Sequence, residues 1–257
     1  MANVKIHAFV VSWKGQHANA AHIAAAIDKD VDALTIVFSD PDPAVVPPAQ
    51  CQLIRTDNAL YWADKFSTCL QTIDTDAGTD VMLLIHADCR SEDWAGMVQR
   101  CRKVMGKSAS IGLWAPQLEG AGISLNLTKA VSSNDSLTLV TYVEALVFAM
   151  TLPVIKRLKK YDYSQNKFGW GIDWAISAFV VTHNLVALVD SSVRVTHPAG
   201  RGYDGAEARE QMSVFSQQMS PQEKVYFAMA SSHVKLNRLE QNAGSGPVVS
   251  DKGERQA

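Results

Sequence analysis

Apolar residues fall in short unbroken blocks along the first half of the chain: VKIHAFVV (4–11), ALTIVF (33–38), VMLLI (81–85) and ASIGLWAPQ (109–117). Blocks of this length predict strands buried on both faces, as in mainly parallel sheets. Amphipathic stretches lie between them. Over 16–28, Ala20, Ile23, Ala24 and Ile27 form one stripe, and their small side chains allow a helix to lie close on a sheet. After a short strand at 51–55, Asp57 or Asn58 is placed to cap a helix running to about Asp74. In it Ala59, Ala63, Phe66, Leu70 and Ile73 recur at steps of four and three, and Asp64, Lys65, Ser67 and Gln71 make the polar face. Ser91, Glu92 and Asp93 start a further helix to about Met105. Strand, helix, strand in this order implies parallel pairing with right-handed crossovers. Pro41, Pro43, Pro47 and Pro48 make 41–50 a loop.

The second half is less regular. Residues 118–135 predict a loop or short hairpin, 136–141 a strand, and 142–150 fits either strand or helix. A short helix opens at Thr151-Leu152-Pro153 and closes on Lys156, Arg157, Lys159 and Lys160. Gly169 and Gly171 flank Trp170 in a loop, and Asp173 stands at the start of a helix to about Thr182. LVALVD and SVRVTH predict a strand or hairpin ending at His197-Pro198, followed by a loop, AGRGYDG. Ser220-Pro221-Gln222-Glu223 is a capping box for a helix to about Ser231. The end of the chain, 242–257, predicts a disordered tail after one domain over 1–241.

Composition narrows the class without choosing within it. With 47% hydrophobic and 19% charged residues, the 257-residue chain is ordinary for a globular protein. A net charge of −2 gives no footprint for nucleic acid or an acidic membrane surface. No apolar run approaches the ~20 residues of a membrane span, and the start has no signal-peptide layout, so a soluble cytoplasmic protein is expected. Cys51, Cys69, Cys89 and Cys101 make no CxxC pair, and buried or incidental thiols are expected.

The chemistry gathers where apolar blocks end. Open parallel sheets bind ligands at the carboxyl ends of their strands. His86 and Asp88 end the 81–85 block two residues apart, on one side in extended backbone. An imidazole and a carboxylate there can hold a divalent cation or a ribose hydroxyl, although Asp at a strand end also simply caps turns. Ser12 and Trp13 end the first block and Asp40 follows the second, so the three are placed to hold a base and ribose, with Trp13 either stacking or a core aromatic. His17 and His22 read as surface residues of the first helix.

The order of these parts resembles the GT-A fold glycosyltransferases, nearest the broad family 2 type, over roughly residues 4–205. His86-Ala87-Asp88 resembles the Asp-x-Asp motif, whose last carboxylate ligates Mn²⁺ or Mg²⁺ under the donor diphosphate. Phe168-Gly-Trp-Gly-Ile-Asp173 is similar to the Gly-Trp-Gly followed by Glu-Asp of galactosyltransferase-like members, in which the final Asp is the base. His197 resembles a third metal ligand that some members supply. Two positions depart from the pattern: His86 replaces the first Asp of the metal motif, and Ile172 replaces the Glu of the Glu-Asp pair. Gln-x-x-Arg-Trp, the processive signature, is missing.

The resemblance implies an α/β, Rossmann-like, mainly parallel sheet flanked by helices. It divides into a nucleotide-sugar-binding half, 1–117, and an acceptor-binding half, 118–241. It implies an inverting, metal-dependent transfer from a nucleotide sugar (a UDP-sugar favoured) to a glycan or other hydroxyl acceptor. Asp173 would be the base, Asp88 and His197 metal ligands, and His86 a contact to ribose or phosphate. Mixed carboxylate–imidazole ligation suits Mn²⁺ better than Mg²⁺. Trp170 and Gly171 would face a sugar ring, Lys65 the diphosphate, and Arg201 and Tyr203 a loop closing on the donor. Plain alternatives stand beside these roles: Asp173 as an N-cap, His197 as a polar strand end, Lys65 as a solvated lysine. A nucleotidyltransferase would carry a Gly-rich basic first loop, and here that loop is only SWKGQH. A non-catalytic nucleotide- or sugar-binding protein, motivated by His86, is the other alternative.

Overall fold

A computed structural model describes residues 4–57, 61–73, 78–131, 136–198 and 203–244. The elements follow as β1 (Ile6–Ser12), α1 (His17–Ile27), β2 (Ala33–Phe38), β3 (Gln52–Arg55), α2 (Trp62–Thr72), β4 (Val81–His86) and α3 (Trp94–Met105). Then come β5 (Ile111–Glu119), α4 (Leu125–Thr128), β6 (Leu137–Leu139), β7 (Val147–Thr151), α5 (Leu152–Leu158), α6 (Ile172–Thr182), β8 (Val186–Thr196), α7 (Gly205–Ser216) and α8 (Pro221–Gly244).

The strands form one sheet in the order β3-β2-β1-β4-β7-β5-β8-β6. β3, β2, β1 and β4 are parallel, as are β5 and β8. β7 runs antiparallel between β4 and β5, and β6 is an antiparallel edge. The mainly parallel sheet flanked by helices is therefore present. Alternation along β1 and β4 splits the core. Phe9, Val11, Met82 and Leu84 pack toward Phe66 of α2 and Phe148. Ala8, Val10, Leu83 and Ile85 pack toward Ile23 of α1 and Val98 of α3. The chain order reverses between β1 and β4, which makes their carboxyl ends a topological switch point, where open sheets place ligands.

Several expectations change. The ambiguous 142–150 stretch supplies β7, a strand buried between neighbours. Residues 186–196 are one long strand, not a hairpin. Its register against β5 jumps from Pro116↔Asp190 to Gln117↔Arg194, leaving Ser191–Val193 as a bulge. α4 gives a single helical turn within the expected 118–135 loop. α2 starts at Trp62 rather than at Asp57 or Asn58, and Asn58 and Ala59 lie outside the described residues. α7 follows the loop without having been foreseen; Asp204 accepts from the Ala206 N–H at its start. α8 runs to Gly244, well past Ser231, so 242–244 of the expected tail are helical, and 245–257 lie outside the described residues. Among the described residues no helix is long and apolar enough to cross a membrane.

Candidate active site at the carboxyl edge of the sheet

β4 delivers His86 to the edge, and the turn after it is held from three sides. Ala87 N–H donates to Val11 O (2.9 Å), His86 N–H to Leu146 O (3.0 Å), and the Asn19 amide of α1 to the carbonyls of Ala87 and Cys89. β8 comes alongside through reciprocal Arg90–Thr196 backbone bonds, each 2.9 Å. That pairing brings His197 Nε2 to 3.2 Å from Asp88 Oδ2. Burial opposes ionisation of Asp88, yet the His197 hydrogen bond and the neighbouring imidazoles hold its carboxyl below the usual range. Asp88 Oδ1 and His86 Nε2 are both buried and have no hydrogen-bond partner among the described residues. Burial pushes the His86 imidazole down to about 4, so at neutral pH that nitrogen is uncharged and available as a donor to a ligand or metal.

His197 is positioned by its backbone. Its N–H donates to Glu119 O (2.8 Å), and the next residue, Gly120, has φ +81° with its α-carbon pressed against the His197 carbonyl. A Cβ at 120 would overlap that carbonyl oxygen. Gly120→Ala is therefore expected to cost about 1–2 kcal/mol for left-handed backbone alone. Shifting His197 should also move its imidazole off Asp88 and weaken by roughly tenfold or more any cation binding that the pair supports. Mn²⁺ titration by calorimetry on the variant, with urea unfolding alongside, checks both.

An aromatic wall joins this edge to the Gly-Trp-Gly loop. The His86 ring lies 6.0 Å edge-on from Trp13 and 5.4 Å from Trp62. Trp62 in turn touches Gly169, where φ is +76° and any Cβ would enter the indole ring. Trp170 Nε1 donates to Tyr203 Oη (2.8 Å), and Tyr203 stacks on Phe168 at 4.5 Å with Tyr61 beside them. So Trp13, His86, Trp170 and Tyr203 belong to one connected neighbourhood. Lys65 differs from its expected place. It is buried, 3% exposed, rather than on the outer face of α2, and burial lowers its ammonium to about 8. It lies close enough to depress proton binding at His86 further. Gly171 sits against Met212 of α7 and caps α6. Arg201 lies outside the described residues.

Asp173 stands in the first turn of α6 with both oxygens engaged. Oδ2 accepts from the buried Tyr142 hydroxyl, and Oδ1 from the Trp174 N–H at 2.8 Å. Burial raises its carboxyl to about 6. Tyr142 offsets part of that rise, and Glu144 adds to it.

Ser12 and Asp40 are arranged otherwise than expected. Ser12 is fully buried and bonds His17 Nδ1 (2.9 Å), and His17 Nε2 bonds Asp40 Oδ2 (2.9 Å). His17 is thus a buried bridge and not a surface residue. The relay ties β1, α1 and β2 together; Ser12 has no exposed surface with which to touch a ligand, whereas Asp40 and His17 line a cleft of about 460 Å³ with Lys14 and Pro41.

Sequence reading missed His17, Trp62, Tyr142 and Glu144. Only Trp62 carried a signal, as an aromatic one helical turn before Phe66. Among the described residues no three His, Cys, Asp or Glu side chains converge as a metal cage. The pair Asp88–His197, with orphaned Asp88 Oδ1 and His86 Nε2 beside it, fits a cation that arrives with phosphate oxygens. That is how small divalent ions are held in many phosphate-handling sites.

No protein-family model matches the sequence, and no curated protein matches it. In three dimensions the mainly parallel sheet flanked by helices is similar to a GT-A glycosyltransferase structure. That structure is the crystal structure of GalNAc-T7 with UDP, GalNAc and Mn²⁺, matched with a TM-score of 0.57 and 13% identity. That match covers 77% of this chain and 44% of the other, so the chain spans under half of that protein's solved length.

Proposed function

We propose that this chain is a nucleotide-sugar-dependent glycosyltransferase, moving a sugar from a UDP-type donor to an acceptor hydroxyl with inversion and with a divalent cation, Mn²⁺ favoured. The observation that carries the reading is the Asp88–His197 pair at the β1/β4 switch point, with the two orphaned atoms beside it. The GalNAc-T7 structure, which holds UDP and Mn²⁺ on a similar fold, supports it. Residues 1–117 form the nucleotide-sugar half and 118–241 the acceptor half.

Each residue then has a task. Asp40 and His17 line the base and ribose cleft, and Trp13 stands edge-on to His86. Asp88 and His197 hold the cation, which when bound neutralises charge on the leaving diphosphate. His86 Nε2, uncharged, accepts from a ribose hydroxyl or, as the N–H tautomer, donates to a phosphate oxygen, and Lys65 adds positive charge nearby. Trp170 and Tyr203 wall the sugar ring. Asp173 takes the proton from the acceptor hydroxyl as its oxygen attacks the anomeric carbon; a base poised near pH 6 is charged yet still basic at neutral pH.

The test is a thermal-shift screen of UDP, GDP, CMP and dTDP with and without Mn²⁺. A nucleotide at 100 times its dissociation constant adds about 2.7 kcal/mol, which at this size raises the midpoint by roughly 5–10 °C. UDP should give the shift and Mn²⁺ enlarge it. No shift from any nucleotide, with or without metal, sinks the reading.

A further inference from the structure

A second cleft, about 860 Å³, opens on the other side of the β4 edge. Its wall begins where the metal-side pair ends, because the Arg90–Thr196 backbone pairing that aligns Asp88 with His197 is also its inner rim. The opposite wall is the bulge in β8, where Ser192 is exposed and Val193 is half-buried against the core. Bulges beside active sites commonly re-aim side chains.

The bulge is fixed from behind. Asp190, fully buried, accepts from the Ser192 hydroxyl (2.6 Å) and N–H (3.1 Å) and pairs with Arg100 Nε of α3 (2.6 Å). Arg100 also donates to the Ser136 hydroxyl (2.8 Å). Arg194 is held by Glu119 at 3.3 Å. Arg90 has no side-chain partner among the described residues. The cleft therefore presents three guanidinium groups and, from Glu92, Asp93 and Glu119, three carboxylates, interleaved with hydroxyls over the buried Met97.

We infer that this cleft binds an uncharged oligosaccharide. Its charges are nearly balanced, three guanidinium groups against three lining carboxylates with Asp190 buried behind Arg100, so nothing in it favours a phosphate or a polyanion. Arg90 and Glu92, which have no side-chain partner among the described residues, set a donor and a carboxylate acceptor on one rim, which suits sugar hydroxyls because each both donates and accepts. The volume lies in the range of ligand pockets, roughly 300–1,000 Å³. Calling the bound glycan the acceptor rests on the glycosyltransferase reading; the binding itself does not.

Saturation-transfer NMR on the full chain separates the two claims. The probes are uncharged trisaccharides of the cello, malto, laminari and chito series. At least one should bind, lose its signal in Ser192→Trp, which fills the cleft from an exposed position, and bind about tenfold more weakly in Arg90→Ala. Circular dichroism shows whether each variant is folded, and Arg90→Ala keeps the test alive if Ser192→Trp is not. No binding across the panel, or equal binding by wild type and folded variants, overturns the inference. The nucleotide screen is scored separately. A flat screen with trisaccharide binding intact removes the transferase reading and leaves a sugar-binding cleft. A positive screen with no trisaccharide binding does the reverse.

Discussion

Asp173→Asn is expected to lower transfer by about 10²–10⁴-fold, the usual contribution of a general base, and to raise stability above pH 6. Both effects come from one geometry. The Asp173 carboxyl is enclosed beside Glu144, with Tyr142 donating to Oδ2, and its proton is held up to about 6. An unfolded aspartate loses its proton near 3.9. A folded-state value raised in this way gives stability that is whole below the unfolded value and lost as pH rises through 4 to 6. Asn does not titrate and can still accept the Tyr142 hydrogen, so the variant avoids that loss. Its melting midpoint should match wild type near pH 4 and exceed it by a constant margin above pH 6. In the wild type, kcat/KM should fall on the acid side with a midpoint near 6. Full transfer activity in the variant would remove Asp173 as base. Lost activity with no gain in stability at pH 8 would show that the folded-state carboxyl is not raised.

The halves of this site differed in how legible they were. The apolar blocks at 33–38 and 81–85 show their strands because residues buried on both faces need no alternation, and their ends mark the ligand edge directly. Asp88 and His197 lie just past the ends of strands far apart in sequence, and only family resemblance joined them; the backbone pairing of Arg90 with Thr196 is tertiary and leaves no local pattern. Lys65 misled for a related reason. Helical spacing put it among polar neighbours, but Trp62 and Phe66 carry that side of α2 against the site, and tertiary contact overrode the local stripe. Tyr142 hid in a stretch whose period was mixed, since a buried strand, β7, follows directly after a turn. α7 had no strong stripe to announce it: its buried residues are Gly205, Ala208, Phe215 and Ser216, too sparse for a periodic signal.

Arg157→Met carries the largest stability loss expected outside the site. Glu223 is fully buried at the start of α8, where its carboxylate accepts from the Ser220 N–H (2.6 Å) in the capping box foreseen from Ser220-Pro-Gln-Glu. Arg157 of α5 completes it with Nε to Oε1 at 3.0 Å and Nη2 to Oε2 at 2.7 Å, a bidentate pair, with Tyr161 Oη at 3.5 Å. Burial opposes ionisation of Glu223, but the guanidinium and the Ser220 N–H hold its carboxyl below the usual range. Removing the guanidinium alone leaves a charge buried without its counterion, which costs about 3–5 kcal/mol. At roughly 2–4 °C per kcal/mol the midpoint should fall by about 6–20 °C. Adding Glu223→Gln to Arg157→Met should recover most of that loss, because Gln keeps the capping bond and carries no charge. A depressed carboxyl gives stability present above its unfolded value and lost as pH falls through the folded one. The wild type should therefore weaken on acidification below about pH 4.5, and the double variant should not share that component. Urea unfolding of wild type, both single variants and the double at pH 7 and pH 4 yields the coupling energy directly. A loss under 1 kcal/mol for Arg157→Met at pH 7 would mean the pair behaves as an exposed one and adds little to the α5–α8 junction.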